Sequence, residues 1–201
     1  MTKGVRPPLF AGLALAAALF SFVAAVTLTG GVQAEVPGDQ LAPPVRLTFE
    51  GPVPDSWYTG ATADSRCWKT KAPEAGFAKK MNASRVAAGK GKLSLDPEIS
   101  KVARKHTREM VNQELLHHTP SDALRNRVTR WQLIGENVGV GSTVDSLHVA
   151  FMNSPAHKAN ILLTSFKHVG VGVIEDGGRM WVTVIFENTD DPGTTLKMPR
   201  C

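Results

Sequence analysis

Apolar residues recur at three- and four-residue intervals from Phe77 to Met152, then at two-residue intervals from Val169 to Phe186, which predicts helices first and a hairpin after them. Phe77, Met81 and Ala88, with small neighbours, form the inner face of a first amphipathic helix that stops at Gly89 and Gly91. The second helix is marked more sharply. Asp96 suits the N-cap, Pro97 the first helical position and Glu98 the first turn, while Ile99, Val102, Ala103, His106 and Met110 share one face. His106 therefore reads as a hydrogen-bonded core histidine. The stretch LLHHTPSD, residues 115–122, interrupts the helical run with Pro120 and two adjacent histidines. A third helix is expected over residues 123–131, with Leu124, Val128 and Trp131 at helical spacing, and LIGENVGVG (133–141) is too rich in glycine to continue it. Ser142 or Thr143 can cap a fourth helix that turns Val144, Leu147, His148, Phe151 and Met152 inward. Ser154 and Pro155 then restart a short helix and put His157 in its first turn.

The hairpin is apolar on both faces. Val169, Val171 and Val173 alternate with Gly170, Gly172 and Ile174; beyond a turn at residues 176–178, Met180, Val182, Val184 and Phe186 alternate with Trp181, Thr183 and Ile185. Such a sheet needs helices on both sides, so the expected fold class is α+β, a three-layer α-β-α sandwich around a small central antiparallel sheet. The GVGV run lies inside a strand, so it is not a dinucleotide-binding fingerprint.

Upstream of the periodic region the chain changes character twice. Residues 1–34 contain no acid, carry Lys3 and Arg6, run apolar from Leu9 to Leu28 and end on Val32, Gln33 and Ala34, a small-residue cleavage pattern. They read as a secretory signal peptide; an uncleaved, membrane-tethered form is the alternative, because the apolar run is long enough to span a bilayer. Residues 35–74 hold six prolines and little periodicity, as expected of an extended or irregular arm with Trp57, Tyr58 and Trp68 as anchors. The domain follows at 75–190, and 191–201 is a tail.

Charge and cysteine content narrow the function. The formal net charge of +5, less the two charges of Lys3 and Arg6, leaves +3 on the exported part. No basic run interleaved with aromatics is present, which argues against nucleic acid as a partner. Cys67 and Cys201, the only two cysteines, both lie in the exported part and are expected to pair as a disulfide. The chain has no CxxC to hold a metal.

Glu136, flanked by Gly135 and Asn137, is the only acid between Asp122 and Asp145. Taken together, Met81, Asn82 and Arg85, then Leu93, Asp96 and Met110, HT at 118–119, GENVG at 135–139 and FMNSPAHKANIL before GVGV resemble bacterial members of the CAP superfamily. That superfamily joins cysteine-rich secretory proteins, antigen 5 and pathogenesis-related proteins 1. The resemblance covers about residues 77–187. It implies an α-β-α sandwich with a cleft lined by two histidines and two glutamates, which in several members bind a divalent metal. Carried over residue by residue, the first histidine is His118 rather than His117, the first glutamate Glu136 and the second histidine His157. Ser154 stands where many relatives place the second glutamate, so one carboxylate is missing. Asn137, Ser154 and Asn160 are the expected supporting residues. Two imidazoles and one carboxylate are a competent set for Zn²⁺, and they are equally able to form a hydrogen-bonded brace. Two functions are therefore expected: a monomeric secreted binding or scaffold module for a lipid, a peptide or a cell-envelope component, or a metal-assisted hydrolase. No nucleophile stands out for the second, since Ser146 and His148 point to different sides of a helix and Ser154 reads as a cap.

Overall fold

A computed structural model describes residues 38–49, 69–129 and 131–188. In chain order the elements are β1 (Gln40–Thr48), α1 (Ala72–Ala87), β2 (Ser94–Leu95), α2 (Pro97–Gln113), α3 (Ser121–Arg127), β3 (Leu133–Gly141), α4 (Val144–Asn153), α5 (Pro155–Ile161), β4 (His168–Asp176) and β5 (Arg179–Asn188). The strands form one sheet in the order β1-β3-β5-β4-β2. The hairpin and both pairings of β3 are antiparallel, while the two-residue β2 runs parallel to β4, so the sheet is mixed. Trp57, Tyr58, Trp68, both cysteines, the leader 1–34 and the tail 191–201 lie outside the described residues.

Alternation along β5 builds the two cores. Val182, Val184 and Phe186 pack with Phe77 and Met81 of α1 and with Leu147, Phe151 and Ile161 of α4 and α5. On the opposite face Ile185 packs with Ile99, Val102 and Ala103 of α2 and with Leu124, Val128 and Trp131 beyond it. Helix α2 comes unusually close to the sheet: a Cβ on Gly170 or Gly172 would overlap the backbone of Ile99 or Ala103. This close approach explains the glycines of GVGV.

Caps and buried polar groups fix the helices. Asp96 accepts from the N–H groups of Glu98 and Ile99, as its N-cap position requires. His106 is fully buried, and its Nε2 meets the carbonyl of His117 at 2.8 Å, in keeping with a core role. Helix α1 begins at Ala72, inside the stretch expected as arm, because Pro73 is tolerated in a first turn. Glu74, also in that turn, accepts from the Lys71 N–H and pairs with Arg104 of α2. Helix α3 stops at Arg127, short of Trp131, because Val128 is extended; the Trp131 ring is buried nonetheless, its Nε1 donating to the Arg125 carbonyl.

Candidate functional site

LIGENVGVG becomes β3, a strand buried from Ile134 onward, and this decides how the cleft is divided. Successive side chains of a strand point to opposite faces. Glu136 shares its face with Ile134, Val138 and Val140, which join the clusters on the α2 side. Asn137 faces α5.

On the α2 side the loop after that helix delivers His118 and Thr119 to Glu136. His118 Nδ1 lies 2.8 Å from Glu136 Oε1, the Thr119 N–H donates to the same oxygen at 2.9 Å, and the Thr119 hydroxyl donates to Oε2 at 2.7 Å. The carboxylate is fully buried and both its oxygens are engaged. With Nδ1 donating, His118 Nε2 is left as an acceptor; it is buried and has no hydrogen-bond partner among the described residues. His117 turns away, its ring edge-on to that of His106.

On the other side α5 presents His157 and Asn160. Ser154 is the N-cap residue of α5, but its hydroxyl makes no capping bond; it lies 2.7 Å from His157 Nδ1. His157 Nε2 donates to the Ala42 carbonyl of β1 at 2.7 Å, and the ring stacks on Phe151 at 5.1 Å. The Nε2–H tautomer follows, with Nδ1 accepting from Ser154. Burial holds the His157 pKa below the ordinary range, the Ala42 carbonyl opposes this and the His118 ring adds to it, so the ring is neutral at pH 7. Asn137 Nδ2 donates to the His157 carbonyl, Asn160 Nδ2 donates to Asn137 Oδ1 at 2.9 Å and to the Val45 carbonyl at 3.3 Å, and Arg46 donates twice to Asn160 Oδ1.

His118 and Glu136 thus form one hydrogen-bonded set, and His157, Ser154, Asn137 and Asn160 another. A divalent ion held by His118, Glu136 and His157 together does not fit this arrangement. His157 Nε2 carries a hydrogen directed at Ala42, Glu136 already accepts three hydrogen bonds, and no group of three or more His, Cys, Asp or Glu is placed to hold an ion among the described residues. Ser146 and His148 do lie apart: Ser146 closes the capping box of α4 with Thr143, whereas His148 Nε2 meets Ser84 of α1 at 2.9 Å.

Four participants escaped the sequence reading. Thr119 was visible only as the neighbour of His118. Arg46 sits in a proline-rich stretch without periodicity, and Ala42 and Val45 act through backbone carbonyls, for which residue type gives no signal.

Comparison with known proteins agrees with this architecture. Residues 78–186 match the Cysteine-rich secretory protein family, CAP. The protein YkwD of Bacillus subtilis (strain 168) is 30% identical over 159 residues, which is 71% of this chain and 62% of that protein. This chain therefore spans less than two thirds of that relative. An extracellular protein containing a SCP domain from Bacillus anthracis superposes with a TM-score of 0.51 at 23% identity, over 58% of this chain and 40% of the other. An outer surface protein of Borrelia burgdorferi superposes with a TM-score of 0.56 at 17% identity, over 63% of this chain and all of the other. At these identities the likeness to the two solved structures is one of fold.

Proposed function

Because the chain belongs to the cysteine-rich secretory protein (CAP) family, we propose that it is a secreted module that binds a ligand at the cleft beside β3 and catalyses no hydrolysis there. Export is supported by the leader-like residues 1–34 and by relatives that are themselves an extracellular protein and an outer surface protein. The observation that carries the binding reading is the engagement of Glu136 and His157, which leaves the buried His118 Nε2 as an open acceptor. Glu136 is committed to Thr119 and His118, and His157 to Ser154 and Ala42, so neither is free to act as a general base toward a water or a substrate hydroxyl. Lipid, peptide and cell-envelope ligands are the classes in question, and Zn²⁺ is a ligand only of a form in which His157 is released from Ala42.

The purified chain, zinc-loaded and chelated, is tested on ester, peptide and glycan panels. No turnover above background is expected in either state; turnover that vanishes in Glu136→Gln reverses the assignment to hydrolase. Calorimetric titration at pH 7 is expected to give no stoichiometric zinc binding. Tight uptake that is lost in His157→Ala would show instead that the two histidines converge on an ion.

A further inference from the structure

Strand β1 lies outside the family match at 78–186, yet it supplies partners to both His157 and Asn160. Its sequence, QLAPPVRLT, is poor strand material, because Pro43 and Pro44 have no N–H to give to a ladder. The pairing with β3 breaks there: Ala42 stands opposite Val138 and Val45 opposite Glu136, so the two prolines face the single residue Asn137.

Side chains of α5 take over where the ladder fails. The two carbonyls that bracket the prolines, those of Ala42 and Val45, accept from His157 Nε2 and Asn160 Nδ2, and Arg46 returns two bonds to Asn160 Oδ1. Both donors are also held by residues outside β1. His157 is 4% exposed and held by Ser154 and Phe151; Asn160 is 1% exposed and held by Asn137. Gly139 leaves the room that Leu41 fills, since a Cβ there would come within 2.8 Å of the leucine Cδ2. The occupant is far less embedded than its seat. No residue of β1 is fully buried, and the strand pairs along one edge only.

A buried donor surface under a half-exposed strand has the anatomy of a strand-addition site, in which carbonyl recognition gives affinity and the side-chain seats give selectivity. We infer that the β3 edge, with His157 and Asn160, is a binding site for an extended polypeptide segment with a Pro-Pro core, an apolar residue before it and a basic residue after it. Strand β1 is the occupant in cis, and a partner protein's segment of this chemistry binds by displacing it. This rests on the binding-module reading above and names its ligand.

The test weakens the cis occupant and offers the same chemistry in trans. Leu41 and Leu47 anchor the two ends of β1 on separate apolar clusters, so Leu41→Asp with Leu47→Asp releases the strand. Amide exchange of residues 40–48 reports the release, and protection in β3 to β5 reports that the sheet persists. The probe is a fluorescent peptide of residues 39–49. Saturable binding to the variant is expected, about tenfold or more tighter than to the unaltered chain, whose site is filled. Adding His157→Ala to the variant, which removes the donor to the Ala42 carbonyl, is expected to weaken binding about tenfold, the value of one well-placed hydrogen bond. Replacing both prolines of the peptide by alanine is expected to weaken it as well, because the freer unbound peptide loses more conformational entropy on binding. Absence of binding to a variant with β1 released and the sheet intact overturns the inference, as does equal binding of the alanine peptide. If the variant loses its sheet, native-state exchange of the unaltered chain decides. Opening of residues 45–48 ahead of β5 supports displacement, and exchange only together with β5 overturns it. The released variant is also run on the hydrolysis panels: turnover there would sink the binding-module reading itself, whereas failed peptide binding without turnover removes only the ligand assignment.

Discussion

Glu187 is a buried acid that the fold leaves without a partner among the described residues. Neither carboxyl oxygen has a hydrogen-bond partner among the described residues, and burial, reinforced by the charges of Asp96 and Glu98, pushes its pKa from 4.5 up to about 9. At pH 7 the folded chain therefore holds a proton that the unfolded chain has released. Between about pH 4.5 and 9 the unfolded state binds fewer protons than the folded state, so this group's contribution is complete on the acid side and is lost as pH rises toward 9. Glu187→Gln is expected to flatten that slope and to raise stability at pH 7 by about 1–3 kcal/mol, measured as urea midpoints at pH 5 and pH 8. An unchanged slope would mean that Glu187 is ionised in the fold. Arg85 illustrates the opposite solution. Its guanidinium, 1% exposed, has carbonyls and no carboxylate for partners among the described residues, donating to Gly91, Ile161, Leu163 and, at longer range, Phe166. It ties the loops after α1 and α5 together. Arg85→Met is expected to lower stability by about 2–4 kcal/mol in urea titration, because the substitution leaves buried carbonyls unpaired; lysine, lacking the planar fork, is expected to rescue little.

Some elements are announced by the sequence and others are concealed in it. Helix α2 is announced by Asp96 and Pro97, the α4–α5 break by Ser154 and Pro155, and the β4–β5 hairpin by strict alternation around Gly177 and Gly178. Strand β3 is concealed because Gly135, Gly139 and Gly141 remove the side chains from which alternation would be read, and β1 because Pro43 and Pro44 mimic an irregular arm. Glycine in a strand is nevertheless informative once its neighbours are known. At Gly170 and Gly172 the α2 backbone occupies the space of a Cβ, so Gly170→Ala and Gly172→Ala are each expected to destabilise by about 2–3 kcal/mol or more, through displacement of a whole helix. Gly91→Ala, with open space around it and no left-handed φ, serves as the control and is expected to leave the thermal midpoint unchanged. Equal effects at all three positions would show that the helix contact does not set the cost.

How the pieces are held as one body depends on chain that motif reading does not reach. The His118–Glu136 pair was legible only through the family resemblance that HT and GEN carry, but the partner of His157 is a carbonyl 115 residues upstream, and a carbonyl is the same in every residue. The cysteines pose the same long-range problem from outside the described residues. Cys67 precedes α1, which begins at Ala72, and Cys201 follows β5, which ends at Asn188. A bridge between them would close a loop of about 130 residues around every helix and around β2 to β5, leaving β1 on the leading branch. On the loop-entropy account such a closure stabilises by about 3–5 kcal/mol. The pair is expected to be oxidised in exported protein, so thiol titration of unfolded, unreduced chain should find none, and reduction should lower the urea midpoint without altering β1 protection. Two free thiols per chain would refute the pairing. A loss of β1 protection on reduction would instead mean that the bridge also holds the strand on the cleft, and peptide binding would then rise on reduction.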